Sequence, residues 1–348
     1  MRYYVGLDVH QNQWTIYVMD ASGRKILVRT IRGTWKDVMA FLRTLDGPFS
    51  ICFEATCGAG FLYDQLKTVA EKVVVAHPGK LRLIYAAKRK NDALDAEKLA
   101  KLLLLDLVPT VHIPKAKVRS WRALIEYRRK LMGQRTVAKN RLRALLRSEG
   151  QLAPKRLWTK VGLTWLKGVS FAVDGDALRR DLLVEELATL DERVRRVTKE
   201  LDRLGHADAN VRLLMTIPGV GIRTAEAFCA YIDEAKRFTR TKTVGSYLGL
   251  VPTQDQSADK NHLGRISRQG PSVVRWLLTE AAWEGTRRSP RIRAFYERVR
   301  RNDPDRGKIA VVAAAHYLAR VMLAMLQSGE AWQEDRGSGV SQGYRKVG

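Results

Sequence analysis

Four acids are placed where chemistry rather than solvation would put them. Asp8 interrupts an apolar strand-like run, Val5-Gly6-Leu7-Asp8-Val9, and Glu54 closes a second, Ile51-Cys52-Phe53-Glu54. Asp92 and Asp95 stand three apart in Asn91-Asp92-Ala93-Leu94-Asp95, a spacing that puts both on one face at the start of a helix. A carboxylate within an apolar strand is costly unless it is paired or binds a cation. Oxygen ligands of this kind suit Mg2+ or Mn2+, and a pair of such ions can stabilise the attacking and leaving oxygens of a phosphodiester displacement. Each acid also has an ordinary use: Asp8 as a turn former, Asp92 as a helix N-cap, Asp95 as a first-turn acid favoured by the helix dipole. Their combination beside a basic segment favours metal.

That segment is strongly charged. Between Arg82 and Arg147 there are 18 Lys or Arg against 5 Asp or Glu, and the whole chain of 348 residues carries a formal charge of +26. A compact body with so large a surplus repels itself, so a polyanionic partner is expected. Lys88, Arg89 and Lys90 beside the acids, with Arg128, Arg129, Lys130, Arg141 and Arg143 further on, are the candidate phosphate contacts. Anionic lipid is the competing polyanion, but no run reaches the roughly 18 apolar residues of a spanning helix. Cys52, Cys57 and Cys229 have no ligand-type spacing, which argues against a disulfide framework or a zinc site and for a reducing cytoplasm.

The elements that must position these groups follow from periodicity. Strands are predicted at Tyr3–Val9, Trp14–Met19, Lys25–Ile31, Phe49–Phe53 and Lys72–Ala76, with helices at Trp35–Leu45, Phe61–Val69 and Asp92–Leu105. This order predicts a mixed sheet covered by helices. One or two helices follow over Lys117–Glu149. Leu183, Leu187, Leu190, Val194, Val197, Leu201 and Leu204 step by four and three, the pattern of a coiled coil formed within the chain or between chains, and pairing between subunits is expected here. The fold class is therefore α/β plus α. Expected boundaries are 1–150 for a metal-binding domain with basic helices, 151–206 for a helical linker or coiled coil, 207–328 for a mainly helical domain, and 329–348 for a polar, Gly/Ser-rich tail.

Two further motifs lie downstream. Ile217-Pro218-Gly219-Val220-Gly221-Ile222-Arg223 has the form of a helix-hairpin-helix turn, in which Gly219 and Gly221 let the backbone approach a phosphate and Arg223 adds charge. Gly249-Leu250-Val251-Pro252 then leads into a polar loop containing Ser257, followed by Gly264-Arg265-Ile266-Ser267-Arg268-Gln269-Gly270. A serine hydroxyl attacks phosphorus only when its proton is removed and the phosphate charge is offset; Arg265 and Arg268 lie near enough in sequence to help. On residue chemistry alone Ser257 is one of several loop serines.

Asp8, Glu54 and Asp92-x-x-Asp95, followed by Ile217-Pro-Gly-Val-Gly, Gly249-Leu-Val-Pro and Gly264-Arg-Ile-Ser-Arg-Gln-Gly, together resemble the insertion-sequence 110 family of transposases over roughly residues 3–327. The resemblance implies an RNase H-like (RuvC-like) amino-terminal domain, like that of Holliday-junction resolvases, with the four acids as metal ligands. It also implies a carboxy-terminal transposase domain whose serine links covalently to DNA. The matching position is Ser257, with Ser267 the nearby alternative. This chain has Ala258 where the family has glycine, which loses access to positive φ. Further implied are a structured guide RNA that pairs with donor and target DNA, and a homo-oligomer that brings the acids of one subunit to the serine of another. Two other readings share part of this evidence: a metal-dependent junction nuclease that uses water, and a nucleic-acid-binding protein without enzymatic activity.

Overall fold

The computed structural model describes residues 1–84, 91–257 and 260–334, with the backbone alone at 255–257 and 260–263. The chain separates into two compact units, residues 1–119 and 120–348.

The first unit contains β1 (Tyr3–Val9), β2 (Gln13–Asp20), β3 (Lys25–Arg32), α1 (Trp35–Leu42), β4 (Phe49–Glu54), α2 (Ala59–Leu66), β5 (Lys72–Ala76), α3 (Pro78–Ile84) and α4 (Asp92–Leu104), and the start of α5 (Ala116–Ser148). The five strands form one sheet in the order β3-β2-β1-β4-β5. β1 is antiparallel to β2 and parallel to β4, and β4 is parallel to β5. Strand residues alternate between faces, and each face has its own cover. Val5, Leu7, Ile16, Val18, Ile51 and Phe53 pack against Val38, Leu42, Leu62 and Leu66 of α1 and α2. On the other face Cys52, Val74 and Ala76 meet Leu99 and Leu103 of α4, and Tyr17 and Met19 meet Ala96 and Ala100. The mixed sheet and all its expected strands are present, displaced by a residue or two at their ends.

The second unit is helical apart from one hairpin. After the rest of α5 come α6 (Lys160–Lys167), α7 (Asp174–Ala207), α8 (Ala209–Leu214), α9 (Ile222–Ile232), α10 (Thr243–Leu248), β6 (Pro252–Ser257), β7 (Lys260–Ile266), α11 (Ser272–Arg288), α12 (Pro290–Arg300) and α13 (Gly307–Ser328). α5 is a single helix of 33 residues. Its core partners explain the heptad stripe. Leu142 and Leu146 cluster with Leu183 and Leu187, whereas Leu131 and Ala138 cluster with Leu190, Val194 and Val197. Late α5 meets early α7 and the middle of α5 meets the middle of α7, so the contacts move in opposite directions along the two helices, which run antiparallel. The stripe is thus filled from within the chain. Of the two alternatives the repeat left open, packing within the chain is the one these residues make; a sequence repeat shows that a seam exists but not which helix fills it. Each fully buried leucine contributes about 1.5–3 kcal/mol to that seam.

The main core of the second unit is built around α13, whose Ala314, Ala315, Leu318, Ala319, Met322 and Leu323 are buried with Phe228 of α9 and Leu278 of α11. The stretch Pro304–Ser328 is long and apolar enough to cross a membrane, which the sequence reading did not detect. Most of it is buried inside the unit, as expected of a core helix. The segment read as a polar loop around Ser257 is instead the two-stranded hairpin β6-β7. Its strands, Pro-Thr-Gln-Asp-Gln-Ser and Lys-Asn-His-Leu-Gly-Arg-Ile, lack the apolar alternation that signals a half-buried strand.

Candidate active site

The candidate acidic site of the first unit is built at the carboxyl ends of β1 and β4. The last paired positions of these strands are Leu7 and Phe53, so Asp8 and Glu54 are the next residues on neighbouring parallel strands. Alternation places both on the face covered by α4. The approach of that helix depends on Gly6: a β-carbon there would lie 1.8 Å from the Ala96 carbonyl oxygen and 2.7 Å from the Ala100 nitrogen. No larger residue permits the contact. The amino end of α4 is thereby held over the strand ends. Asn91 is its N-cap and accepts from the Ala93 N–H at 3.0 Å, leaving the carboxylates of Asp92 and Asp95 free of that role.

Asp8 and Asp92 converge. With His10 they form a group in which one ligand atom from each residue lies within 4.8 Å of the others. His10 Nε2 is 3.1 Å from Asp8 Oδ2 and 3.6 Å from Asp92 Oδ1, and Gln13 donates to Asp92 Oδ2 at 2.8 Å. Burial holds the Asp8 carboxyl above its ordinary pKa; His10 opposes the rise, and the charges of Asp92 and Asp95 add to it. Asp95 is therefore close enough to act on Asp8, although its Oδ1 pairs with Lys98 Nζ at 2.8 Å. Glu54 is half-buried and lies outside the three-residue group. A carboxyl raised chiefly by burial, with two further acids adding to the rise, is one whose charge a divalent cation would stabilise, and the donor set fits such an ion. Sequence reasoning missed His10 and Gln13. The signal was a histidine two residues beyond the strand acid, in Asp8-Val9-His10.

The hairpin β6-β7, which carries the candidate Ser257, belongs to the second unit. Two motif glycines lock its base. Gly249 (φ +68°) and Gly270 (φ +76°) each lie so near a neighbouring backbone that a β-carbon would be 2.1 Å from the carbonyl oxygen of Gln269 or of Tyr247 respectively. The Ser267 N–H donates to Val251 O at 2.8 Å, so Ser267 belongs to the base. Arg275 of α11 donates to the carbonyls of Leu248, Gln269 and Gly270 at 3.0, 2.7 and 3.0 Å. Ser257 ends β6 at the far end, its backbone in register with Lys260.

The expected phosphate contacts fall into distinct groups. Lys88, Arg89 and Lys90, like Ala258, lie outside the described residues. Lys130, Arg141, Arg265 and Arg268 are exposed. Arg129 is exposed and pairs with Glu126, and Arg143 stacks 5.2 Å from the Trp158 ring centroid. Arg128 is half-buried and donates to Thr198 Oγ1. Arg223, expected at a phosphate, instead forms ion pairs with Asp202 and Glu226. Gly219 (φ +94°) lies against the α11 backbone, its β-carbon position 2.5 Å from the Gly285 nitrogen, so its lack of a side chain serves internal packing. Gly221 faces open space, with no atom within 4 Å of its β-carbon position.

A DEDD-type IS110 model, described as Transposase, matches residues 5–149, and a model described as Transposase IS116/IS110/IS902 family matches residues 211–297. The chain belongs to the IS110 family of transposases. It is 25% identical over 338 residues to a Pseudomonas aeruginosa protein described as "Probable family 20 transposase", covering 92% of this chain and 96% of that one. It is also 25% identical to the transposase for insertion sequence element IS1111A of Coxiella burnetii, over 80% of this chain and 76% of that protein, and to the transposase for IS1328 of Yersinia enterocolitica, over 80% and 82%. Membership of this transposase family accords with DNA cutting and rejoining as the general activity, and the DEDD-type match with use of a divalent metal.

Proposed function

We propose that this IS110-family transposase recombines donor and target DNA of an insertion sequence by serine attack on the scissile phosphate, assisted by Mg2+ (or Mn2+) at the DEDD acids and guided by a structured RNA. The observation that carries the reading is the convergence of Asp8 and Asp92, 84 positions apart in the chain, at one end of a mixed sheet whose strand order suits an RNase H-like domain. Asp8, Glu54, Asp92 and Asp95 are the residues that would hold the metal. When bound, it offsets phosphate charge and favours loss of the attacking hydroxyl's proton.

The remaining chemistry belongs to Ser257. Its Oγ forms a bond to phosphorus as the bond from phosphorus to the bridging sugar oxygen breaks, and that oxygen leaves with a proton. Rejoining reverses the exchange: a sugar hydroxyl attacks the phosphoserine and the serine oxygen departs. One phosphodiester-type bond is traded for another, so no external energy source is required. The exposed Lys130, Arg141, Arg265 and Arg268, with Arg128, Arg129, Arg143 and the 88–90 run, supply the basic surroundings for DNA and RNA. Base pairing by the guide would select sequence while these groups hold backbone. A homo-oligomer would bring the acids of one subunit to the serine of another, through a surface other than the filled α5–α7 seam.

The test is adduct trapping on a denaturing gel, with DNA carrying the element's ends and RNA co-purified with the protein. Wild type should leave protein covalently attached to DNA, and Ser257→Ala should abolish the adduct while DNA and RNA association persists. Cleavage with free DNA ends and no adduct in wild type would identify a water-using nuclease instead.

A further inference from the structure

His10 is not among the four acids of the DEDD set, yet it completes the one group of three close ligand atoms found among the described residues. Its Nε2 is 3.1 Å from an oxygen of Asp8 and 3.6 Å from an oxygen of Asp92. Donors in adjacent positions on an octahedral ion, each about 2.1 Å from it, stand about 3 Å apart, so this spacing suits atoms that share an ion. Gln13 engages the other oxygen of Asp92 at 2.8 Å, which fixes the carboxylate with Oδ1 toward the imidazole. The histidine side chain is 55% exposed, so it is not held there by core packing.

We propose that His10 is a nitrogen ligand of the divalent cation bound by Asp8 and Asp92. The proposal rests on the metal reading of those acids. Its consequence is selectivity. Imidazole favours transition-series ions, whereas Mg2+ prefers a shell of oxygen alone. The site therefore takes Mn2+ over Mg2+ by a wider margin than four carboxylates would.

The test uses the full-length chain with Mn2+ as probe, in the absence of DNA. Binding is read from loss of the free-ion electron paramagnetic resonance signal, and ligand identity from nitrogen modulation in the pulsed spectrum. Wild type should bind Mn2+ and show nitrogen coupling. His10→Ala should abolish the coupling and weaken Mn2+ by about tenfold or more, with a smaller change in Mg2+ affinity measured by competition. His10→Gln, which restores an oxygen donor, should recover part of the Mg2+ affinity without the coupling. If Mn2+ binds in an Asp8-dependent way but wild type shows no nitrogen coupling, His10 is only a hydrogen-bond partner of Asp8 and the proposal fails while the acidic site stands. If Asp8→Asn binds Mn2+ as wild type does, the metal reading of the acids fails as well.

Discussion

Gly6 lies so close beneath Ala96 that a β-carbon at position 6 would stand 1.8 Å from the Ala96 carbonyl oxygen. The contact is between the strand that carries Asp8 and the helix that carries Asp92, two residues beyond Gly6 and four before Ala96. Gly6→Ala must therefore push the helix off the sheet and part the two acids. We expect a stability loss of about 1–3 kcal/mol or more, read from the urea midpoint, and a loss of Mn2+ binding by the folded fraction larger than stability alone explains. Wild-type metal affinity in folded Gly6→Ala would show that the helix position is immaterial to the site.

Leu187 sits in the α5–α7 seam with Leu142 and Leu146. Because the seam is intramolecular, Leu187→Ala should cost about 2–5 kcal/mol independently of protein concentration. Denaturation at concentrations spanning two decades checks this. A midpoint that falls on dilution in wild type but not in the variant would place a second chain in the seam.

Glu226 is only 1% exposed, and burial pushes its carboxyl up to about 8 against the lowering influence of Arg223 and Arg128. The sign follows from linkage. A carboxyl raised in the folded state favours folding fully below its unfolded pKa, near 4.5, and that contribution is lost as pH rises through about 8. Over that window wild type should lose stability on the order of 2–4 kcal/mol relative to Glu226→Gln. Melting temperatures of both proteins between pH 5 and 9 test it; parallel curves would show that Glu226 remains ionised inside the fold.

Gly270 adopts φ +76° with its β-carbon position 2.1 Å from the Tyr247 carbonyl oxygen. Gly270→Ala should distort the hairpin base and reduce the Ser257–DNA adduct at least tenfold, while Mn2+ binding at Asp8 in the other compact unit is unchanged. Equal loss of both would indicate general unfolding rather than displacement of the hairpin.

Much of this arrangement was legible in the residues. The five sheet strands showed themselves because each pairs an apolar face with a definite end, and Asp8 and Asp92 stood out in combination, beside a basic segment, although each alone had an ordinary use. Besides His10, Gln13 and the apolar run of α13, three arrangements were not legible. The partner of the 183–204 stripe was hidden because α5 carries its apolar residues among many basic ones. The β6-β7 hairpin was hidden because both its strands are polar. The use of Arg223 and Gly219 was hidden because their neighbours, Asp202, Glu226 and Gly285, come from distant segments, and local spacing alone matched a phosphate-binding turn equally well.

Arg275 illustrates how misleading a tally of cations can be. Its guanidinium faces three main-chain carbonyls, and Arg122 likewise donates to the carbonyls of Ala230 and Tyr231. Such groups tie a helix to a loop or to the end of another helix; they displace no counterions from a nucleic acid. The slope of log affinity against log salt, which counts neutralised phosphates, should consequently be shallower than the excess of basic residues suggests, and a chain this positive can still release its substrate at moderate ionic strength.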